Sequence, residues 1–283
     1  MRDPSFTIRT LQADEVAQAI DWAAEEGWNP GLNDAACYLA ADSQAFLGGY
    51  LGDEMVACLS AVNYDQQFGF IGFYIVKPDY RGQGFGIKLW QAGLQRLHGL
   101  NIGLDGVTEQ QENYKKSGFK LAYRNIRYQG QGGIPAQKHE AIVPLSTLTF
   151  ATLTNYDAPF FPTQRTAFLQ SWIQHPGATA LAMLQAGKPV GYGVIRPCRD
   201  GYKIAPLQAD TAEYASALFE ALAATTTEND AIFIDIPEVN PAALSLVQQH
   251  DMQTAFETAR MYTGTAPDLP LNRIYGVTSF EIG

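Results

Sequence analysis

The 283 residues carry 29 acidic against 19 basic side chains, a formal net charge of −10, with 46% hydrophobic and 17% charged residues. That balance is ordinary for a globular chain with core enough for one large or two modest domains, and its acidity excludes a nucleic-acid footprint. No apolar run approaches membrane-spanning length, and Met1-Arg2-Asp3-Pro4 leads into no apolar targeting segment.

The three cysteines, Cys37, Cys58 and Cys198, are scattered and form no C-x-x-C pair, so they read as buried small apolar side chains in a reducing, cytoplasmic setting. The four histidines (His98, His139, His175, His250) show no metal spacing and read as surface or capping residues, so no metal is expected.

In chain order, Phe6–Leu11 alternates like a strand. Asp14 is placed to cap a helix whose apolar face is Val16, Ala19, Ile20 and Ala23, ending at Gly27. Trp28-Asn29-Pro30-Gly31 is a turn, and Asn33 or Asp34 caps a short helix through Leu39. Ala45–Leu51 and Met55–Asn63 form a hairpin about Gly52-Asp53. From Phe70 an apolar, β-branched and aromatic run reaches Val76, and Pro78 ends it because proline gives no N–H to a ladder.

Arg81-Gly82-Gln83-Gly84-Phe85-Gly86 follows, opening a helix to about His98 with Leu89, Ala92, Leu94 and Leu97 on one face. Asn101–Val107 is a short strand. Thr108, with Gln111 in capping-box position, starts a helix to Ser117-Gly118. Phe119–Tyr128 is a long strand, and Gly130–Pro135 a linker.

A strand, a glycine-rich turn and a helix in succession suit a diphosphate. Glycines let the backbone approach a ligand, and the first free N–H groups of a helix, with its dipole, hold anions. The glycines do not run G-x-G-x-x-G as in a dinucleotide fold, and no Lys-Ser or Lys-Thr pair follows Gly86 as a triphosphate loop requires. They fit R-x-x-G-x-G, carried by Arg81, Gly84 and Gly86 with Val76 and Pro78 upstream. This resembles the coenzyme A signature of the GNAT N-acetyltransferase superfamily. Tyr114-Lys115-Lys116-Ser117-Gly118-Phe119 is similar to the same family's Y-x-x-x-G-F.

The resemblance implies acetyl-CoA as co-substrate, held by Ile75 and Val76 and by Arg81, Gly82, Gln83, Gly84, Phe85 and Gly86. It implies that Tyr114 is the acid for the departing thiolate. Where the family often has an asparagine for the pantetheine arm, this chain has Val107. Asn113, Gln110, or the main chain of Ile75 and Val76 stands in for it. No carboxylate lies on the Phe70–Val76 strand where many members keep a base, which leaves Asp65, Asp105, Glu109 and Glu112 as candidates.

After the linker the order of elements repeats at an offset of about 130 to 135 residues. Ile142–Leu145 stands for Ile8–Leu11, a hairpin turns at Gly187-Lys188, and Tyr202–Ala205 stands for the strand before the glycine turn. Thr211–Ala224 is a helix, Ala231–Asp235 a strand, Asn240-Pro241 a helix start, and Thr254–Tyr262 the last long strand. The chain therefore reads as α/β, with two modules of one topology, 1–137 and 138–283, each a mixed, mostly antiparallel twisted sheet flanked by helices.

The second module has no glycines or arginine at Ile204–Asp210, and gives Val247, Asp251 and Met252 where Tyr114 and Gly118-Phe119 would recur. It resembles a degenerate copy that shapes an acceptor pocket or forms a homodimer interface. Asp235 and Arg260 read as structural ion pairs, with Tyr262 near them.

The expected activity is acetyl transfer to a small-molecule amine. The rival reading is a coenzyme A-binding sensor without turnover.

Overall fold

The computed structural model describes residues 5–135 and 139–283. The division between residues 137 and 138, and the leading Met1–Pro4, lie outside the described residues.

Strand β1 (Phe6–Thr10) leads to helix α1 (Ala13–Glu25). The cap of α1 is Gln12, two residues earlier than expected, because Glu15 turns back to accept from the Gln12 N–H at 2.8 Å. Helix α2 (Asp34–Ala41) precedes the hairpin β2 (Phe46–Leu51) and β3 (Glu54–Tyr64), which returns through β4 (Phe68–Val76). Helix α3 (Phe85–Arg96) and strand β5 (Asn101–Val107) follow. Thr108 does not cap a helix: Thr108–Gln110 is one 3-10 turn, from which α4 (Gln111–Lys116) continues. Strand β6 (Lys120–Gln131) runs into the expected linker and takes up Gly130 and Gln131.

The second half has β7 (Ile142–Pro144), α5 (Phe150–Asp157), α6 (Thr166–Ile173), β8 (Thr179–Gln185) and β9 (Lys188–Pro197). Its hairpin turns at Ala186-Gly187, one residue before the expected place. Then come β10 (Tyr202–Ala209), α7 (Ala212–Ala223), β11 (Ala231–Pro237), α8 (Pro241–Gln249) and β12 (Gln253–Tyr262). A short strand that sequence patterning does not reveal, β13 (Ile274–Gly276), ends the series.

One continuous sheet results, in the order β1-β2-β3-β4-β5-β12-β6-β11-β10-β9-β8-β7, with β13 paired to β10 off that path. All its pairings are antiparallel except β4 with β5 and β10 with β11. The order is the same read from either end, with β12 and β6 at the centre. Each half thus closes against the other's last long strand: β12 lies between β5 and β6, pairing Arg260 with Asp105 on one side and Tyr123 on the other.

Side chains alternate along β3, so Cys58 and Val62 join a core under α1, α2 and α6, while Ala57, Leu59 and Ala61 pack beneath α3. The first of these cores runs across both halves, joining Tyr38 and Phe46 to Trp172 and Tyr192.

Buried ion pairs stitch the centre. Arg260 holds Asp105 at 2.9 and 2.5 Å, and Arg127 of β6 holds Asp235 of β11 at 2.6 and 2.8 Å. Asp235 and Arg260 are structural, as expected. His175 departs from expectation: it is buried and meets Asp34 through Nε2 at 3.1 Å. All three cysteines are free and buried. Among the described residues, no helix is long and apolar enough to cross a membrane, and no group of His, Cys, Asp or Glu is placed to hold a metal.

Candidate active site

The parallel pairing of β4 with β5 stops at Ile71 and Leu104, after which the two strands part. The cause is local. At Phe73 the backbone turns to φ 49, and the β3–β4 register shifts between Cys58 and Ser60, a bulge that swings the end of β4 away. A cavity of about 540 Å³ opens there, walled by Gly72–Val76 of β4 and Leu104–Val107 of β5. Gly82, Gly84 and Gly86 line its mouth.

Gly82 and Gly84 hold φ of 75 and 83, which glycine alone adopts without strain. Gly86 is required for another reason: a Cβ there would sit 2.7 Å from the Tyr74 hydroxyl and 3.0 Å from Val76. Without one, the start of α3 lies directly on β4.

Among the described residues, no main-chain N–H from Gly82 to Gly86 is used in a turn, loop or cap contact, and α3 begins without a side-chain cap. These amides stand free at a helix start, with Gly82, Gly84 and Gly86 in the lining of the cleft. Arg81 lines the same cavity, but its Nε donates to the Val76 carbonyl at 2.8 Å and its guanidinium pairs with Glu26. To reach a diphosphate it would exchange Glu26 for the ligand.

Tyr114 is buried and lines the cavity from the β5 side. The Y-x-x-x-G-F spacing builds its setting. Gly118 takes φ 89, so the Phe119 N–H folds back to the Tyr114 carbonyl at 3.2 Å and Phe119 stacks beside Trp90. Trp90 also touches the Tyr114 ring, at 5.4 Å between centroids. Burial pushes the Tyr114 phenol well up, and the nearby phenol of Tyr74 adds to this, so the group stays protonated and able to donate.

Of the residues expected from sequence, Ile75, Val76, Arg81, Gly82, Gly84, Gly86 and Tyr114 are brought together around one cavity. Gln83, Phe85 and Asn113 fall outside its lining. The Gln83 side chain binds the Asp79 carbonyl, and Phe85 stacks on Phe6, so both can serve a ligand only through their amides. Asn113 donates to Gln110 at 2.7 Å, and Gln110 is the one that reaches the cavity, beside Val107.

Among the described residues, none of the expected base candidates faces the cavity unpaired. Asp65, Glu109 and Glu112 are exposed and away from the cavity, and Asp105, which does line it, is held by Arg260 and by Asn125 at 2.8 Å. Sequence reasoning missed Tyr74, Trp28, Phe256, Phe280 and Glu281, all in the lining. Tyr74 was readable, since it lies within the expected strand; Phe280 and Glu281 follow β13, in a segment with no period to read.

Among the described residues, the corresponding place in the second half is closed. Residues Ile204–Ala209 are strand rather than turn, and where β10 leaves β11 after Ile204, β13 pairs with Leu207 and Gln208 and fills the gap. The start of α7 is capped by its own Thr211 and carries Glu213 in its first turn. The cap takes up a free N–H and the Glu213 charge repels an anion, where α3 has neither.

Two family models match the chain: one described as acetyltransferase (GNAT) family over residues 13–119, the other as acetyltransferase (GNAT) domain over 153–276. Among curated proteins, holothin acyltransferase of Pseudoalteromonas sp. (strain SANK 73390) is 28% identical over 279 residues, covering 99% of this chain and 95% of its own. The uncharacterised N-acetyltransferase YitH of Bacillus subtilis (strain 168) is 24% identical, covering 80% of each chain. Among solved structures, a Pyrococcus horikoshii protein classed with the acetyltransferases covers 100% of this chain and 98% of its own, with a TM-score of 0.83 at 23% identity. A tandem GNAT protein from the clavulanic acid biosynthesis pathway covers 93% and 100%, with a TM-score of 0.65 at 12% identity.

Proposed function

Since the chain belongs to the GNAT acetyltransferase superfamily, as two such domains in tandem, we propose that it is an acetyl-CoA-dependent N-acetyltransferase acting on a small-molecule amine by direct attack. The observation that carries this reading is the run of unengaged amides from Gly82 to Gly86 at the mouth of a cleft that also contains Tyr114. The relative named for acylating holothin spans nearly the same length, which supports acyl transfer as the reaction class.

In this reading the amides and the start of α3 hold the diphosphate. The β4 edge left bare past Ile71 takes the pantetheine arm, with Gln110 and Val107 beside it. Tyr114 then donates its proton to the sulfur as the thioester opens. A phenol, whose ordinary pKa is about 10, can donate to a thiolate leaving group at short range.

Calorimetric titration of acetyl-CoA into wild type and Gly84→Trp tests the assignment. Binding is expected in wild type and lost in the variant; equal binding in both would remove it. Release of free thiol with a panel of amines distinguishes an enzyme from a coenzyme A-binding sensor, for which silence across the panel would speak.

A further inference from the structure

The segment after β12 does two things in succession. Its strand β13 fills the gap between β10 and β11, tied on by the Val277 N–H to the Asp235 carbonyl at 2.8 Å. It then crosses to the first half with every residue from Val277 to Gly283 buried. There the Tyr64 hydroxyl donates to the Ile282 carbonyl at 2.9 Å and the Ser60 hydroxyl to that of Glu281 at 3.4 Å. The Glu281 carbonyl occupies the very space a Cβ on Gly72 would need, so the segment lies against the bulge where β4 parts from β5. The main chain thus fixes Glu281 at the splay itself.

Its carboxylate stands apart from the others there. Oε2 accepts from the Ser279 hydroxyl at 2.6 Å and from Tyr38 at 3.4 Å, and Tyr38 divides its one proton between Glu281 and Asp34, 3.1 Å away. Oε1 accepts no hydrogen bond from the described residues, is not sealed off, and belongs to a residue that lines the cavity. The cations near it are engaged elsewhere. Arg127 serves Asp235 and the Trp28 carbonyl, and the buried Lys203 donates to the Asn29 carbonyl at 3.0 Å. The cavity's other carboxylates, Glu26 and Asp105, have arginine partners. Arg127 and Lys203 are near enough to balance its charge but donate their hydrogen bonds elsewhere, so Oε1 is left as an acceptor for an incoming donor.

We infer that Glu281 receives the acceptor's ammonium group and takes its proton, and that the acceptor is a primary amine carried on a flat, apolar body. The rings of Trp28, Phe256 and Phe280 line the same cavity, the last two with Arg127 over them at 5.9 and 5.1 Å, and give such a body apolar surface to pack on. This rests on the N-acyltransferase reading and adds the base and the substrate class to it.

The steps balance. Oε1 of Glu281 takes one proton from the ammonium, and the freed nitrogen pair attacks the thioester carbonyl carbon. The new C–N bond forms as the C–S bond breaks with its electron pair on sulfur. Tyr114 protonates that sulfur and recovers a proton from the amide nitrogen, and Glu281 passes its own to solvent. The residue is thus a carboxylate supplied by one half of the chain to the site of the other.

The experiment compares wild type, Glu281→Gln and Glu281→Asp, all first checked for unchanged thermal midpoint and acetyl-CoA affinity. Phenethylamine and tryptamine are set against spermidine and glycine as acceptors. Turnover with the aromatic amines is expected to fall about 10²-fold in Glu281→Gln and recover in part in Glu281→Asp. Calorimetry of phenethylamine into the protein saturated with coenzyme A should show binding in wild type at least tenfold tighter than in Glu281→Gln. Equal binding in the two, binding by neither, or a preference for spermidine or glycine overturns the inference. A wild type that fails to bind acetyl-CoA at all overturns instead the function on which it rests.

Discussion

Gly106 lacks a side chain at the one place where the Tyr114 ring lies against strand β5: a Cβ there would overlap the ring edge. The glycine and the phenol form one unit, and separate substitutions can divide the position of the ring from its proton. Tyr114→Phe keeps the ring packed on Trp90, so its melting temperature should stay within a degree or two. Its kcat should drop about 10²-fold. Gly106→Ala forces the ring aside and should cost about 1–3 kcal/mol of stability, with kcat falling as well. Acetyl-CoA affinity should hold in both. Unaltered turnover in Tyr114→Phe would move the proton to another phenol of the cavity lining, Tyr74 or Tyr80.

The glycine turn could be read from sequence because its chemistry is local: positive φ, a helix start and close contact with β4 are all set within the segment itself. The same holds for Tyr114, since Gly118 and Phe119 build a helix C-cap that folds back on it. What could not be read depends on distant partners. Strands β6 and β12 are both long and antiparallel to their neighbours, and nothing within either says that β12 will insert between β5 and β6. Glu281 looks like one more surface acid until β13 is seen to anchor its segment across the second half.

A second prediction concerns acid. Glu15 accepts two hydrogen bonds from Arg9, at 2.7 and 2.6 Å, along with one from Gln12 and one from Tyr50. The Arg9 guanidinium leads in holding its carboxyl at about 2, below the usual 4.5. A carboxyl whose folded pKa is depressed adds stability above its unfolded pKa and loses it as pH falls toward the folded one. Glu15→Gln should therefore be less stable than wild type at neutral pH, and the gap should close between about pH 5 and 2. Urea midpoints across that range check it; a constant gap would refute it.

The halves are also tied by charge. Asp34 of α2 accepts from Arg196 of β9 at 2.8 and 2.9 Å, and from His175 at 3.1 Å, with all three side chains buried. Arg196 also lies over the Trp172 ring at 4.2 Å, and its Nη1 has no partner among the described residues. Asp34→Ala would leave that guanidinium buried without a counter-charge, at a cost of about 3–5 kcal/mol, and lower the melting temperature by on the order of 10 °C. Changing both, Asp34→Leu with Arg196→Met, should regain part of the loss. Denaturant titrations of the single and double variants measure it, and an Asp34→Ala protein as stable as wild type would show that the pair contributes nothing.

The strand exchange at the centre makes the strongest demand on folding. Strand β12 pairs with β5 from Gly103 to Val107 and with β6 from Lys120 to Gln129, so residues 1–137 alone would leave β5 and β6 with an empty lane between them. Residues 138–283 alone would likewise miss β6 between β11 and β12. Each fragment would bare long edges with unpaired amides and carbonyls, a template for pairing with another chain. Expressed singly, each is expected to aggregate or to borrow the missing strand from a second copy. Expressed together, the two should assemble into a soluble one-to-one complex that binds acetyl-CoA, because every pairing of the intact sheet is then restored. Size-exclusion chromatography with mass determination distinguishes these outcomes. A soluble, monomeric 1–137 fragment with native acetyl-CoA affinity would show that the coenzyme-binding part of the cleft needs nothing from the second half.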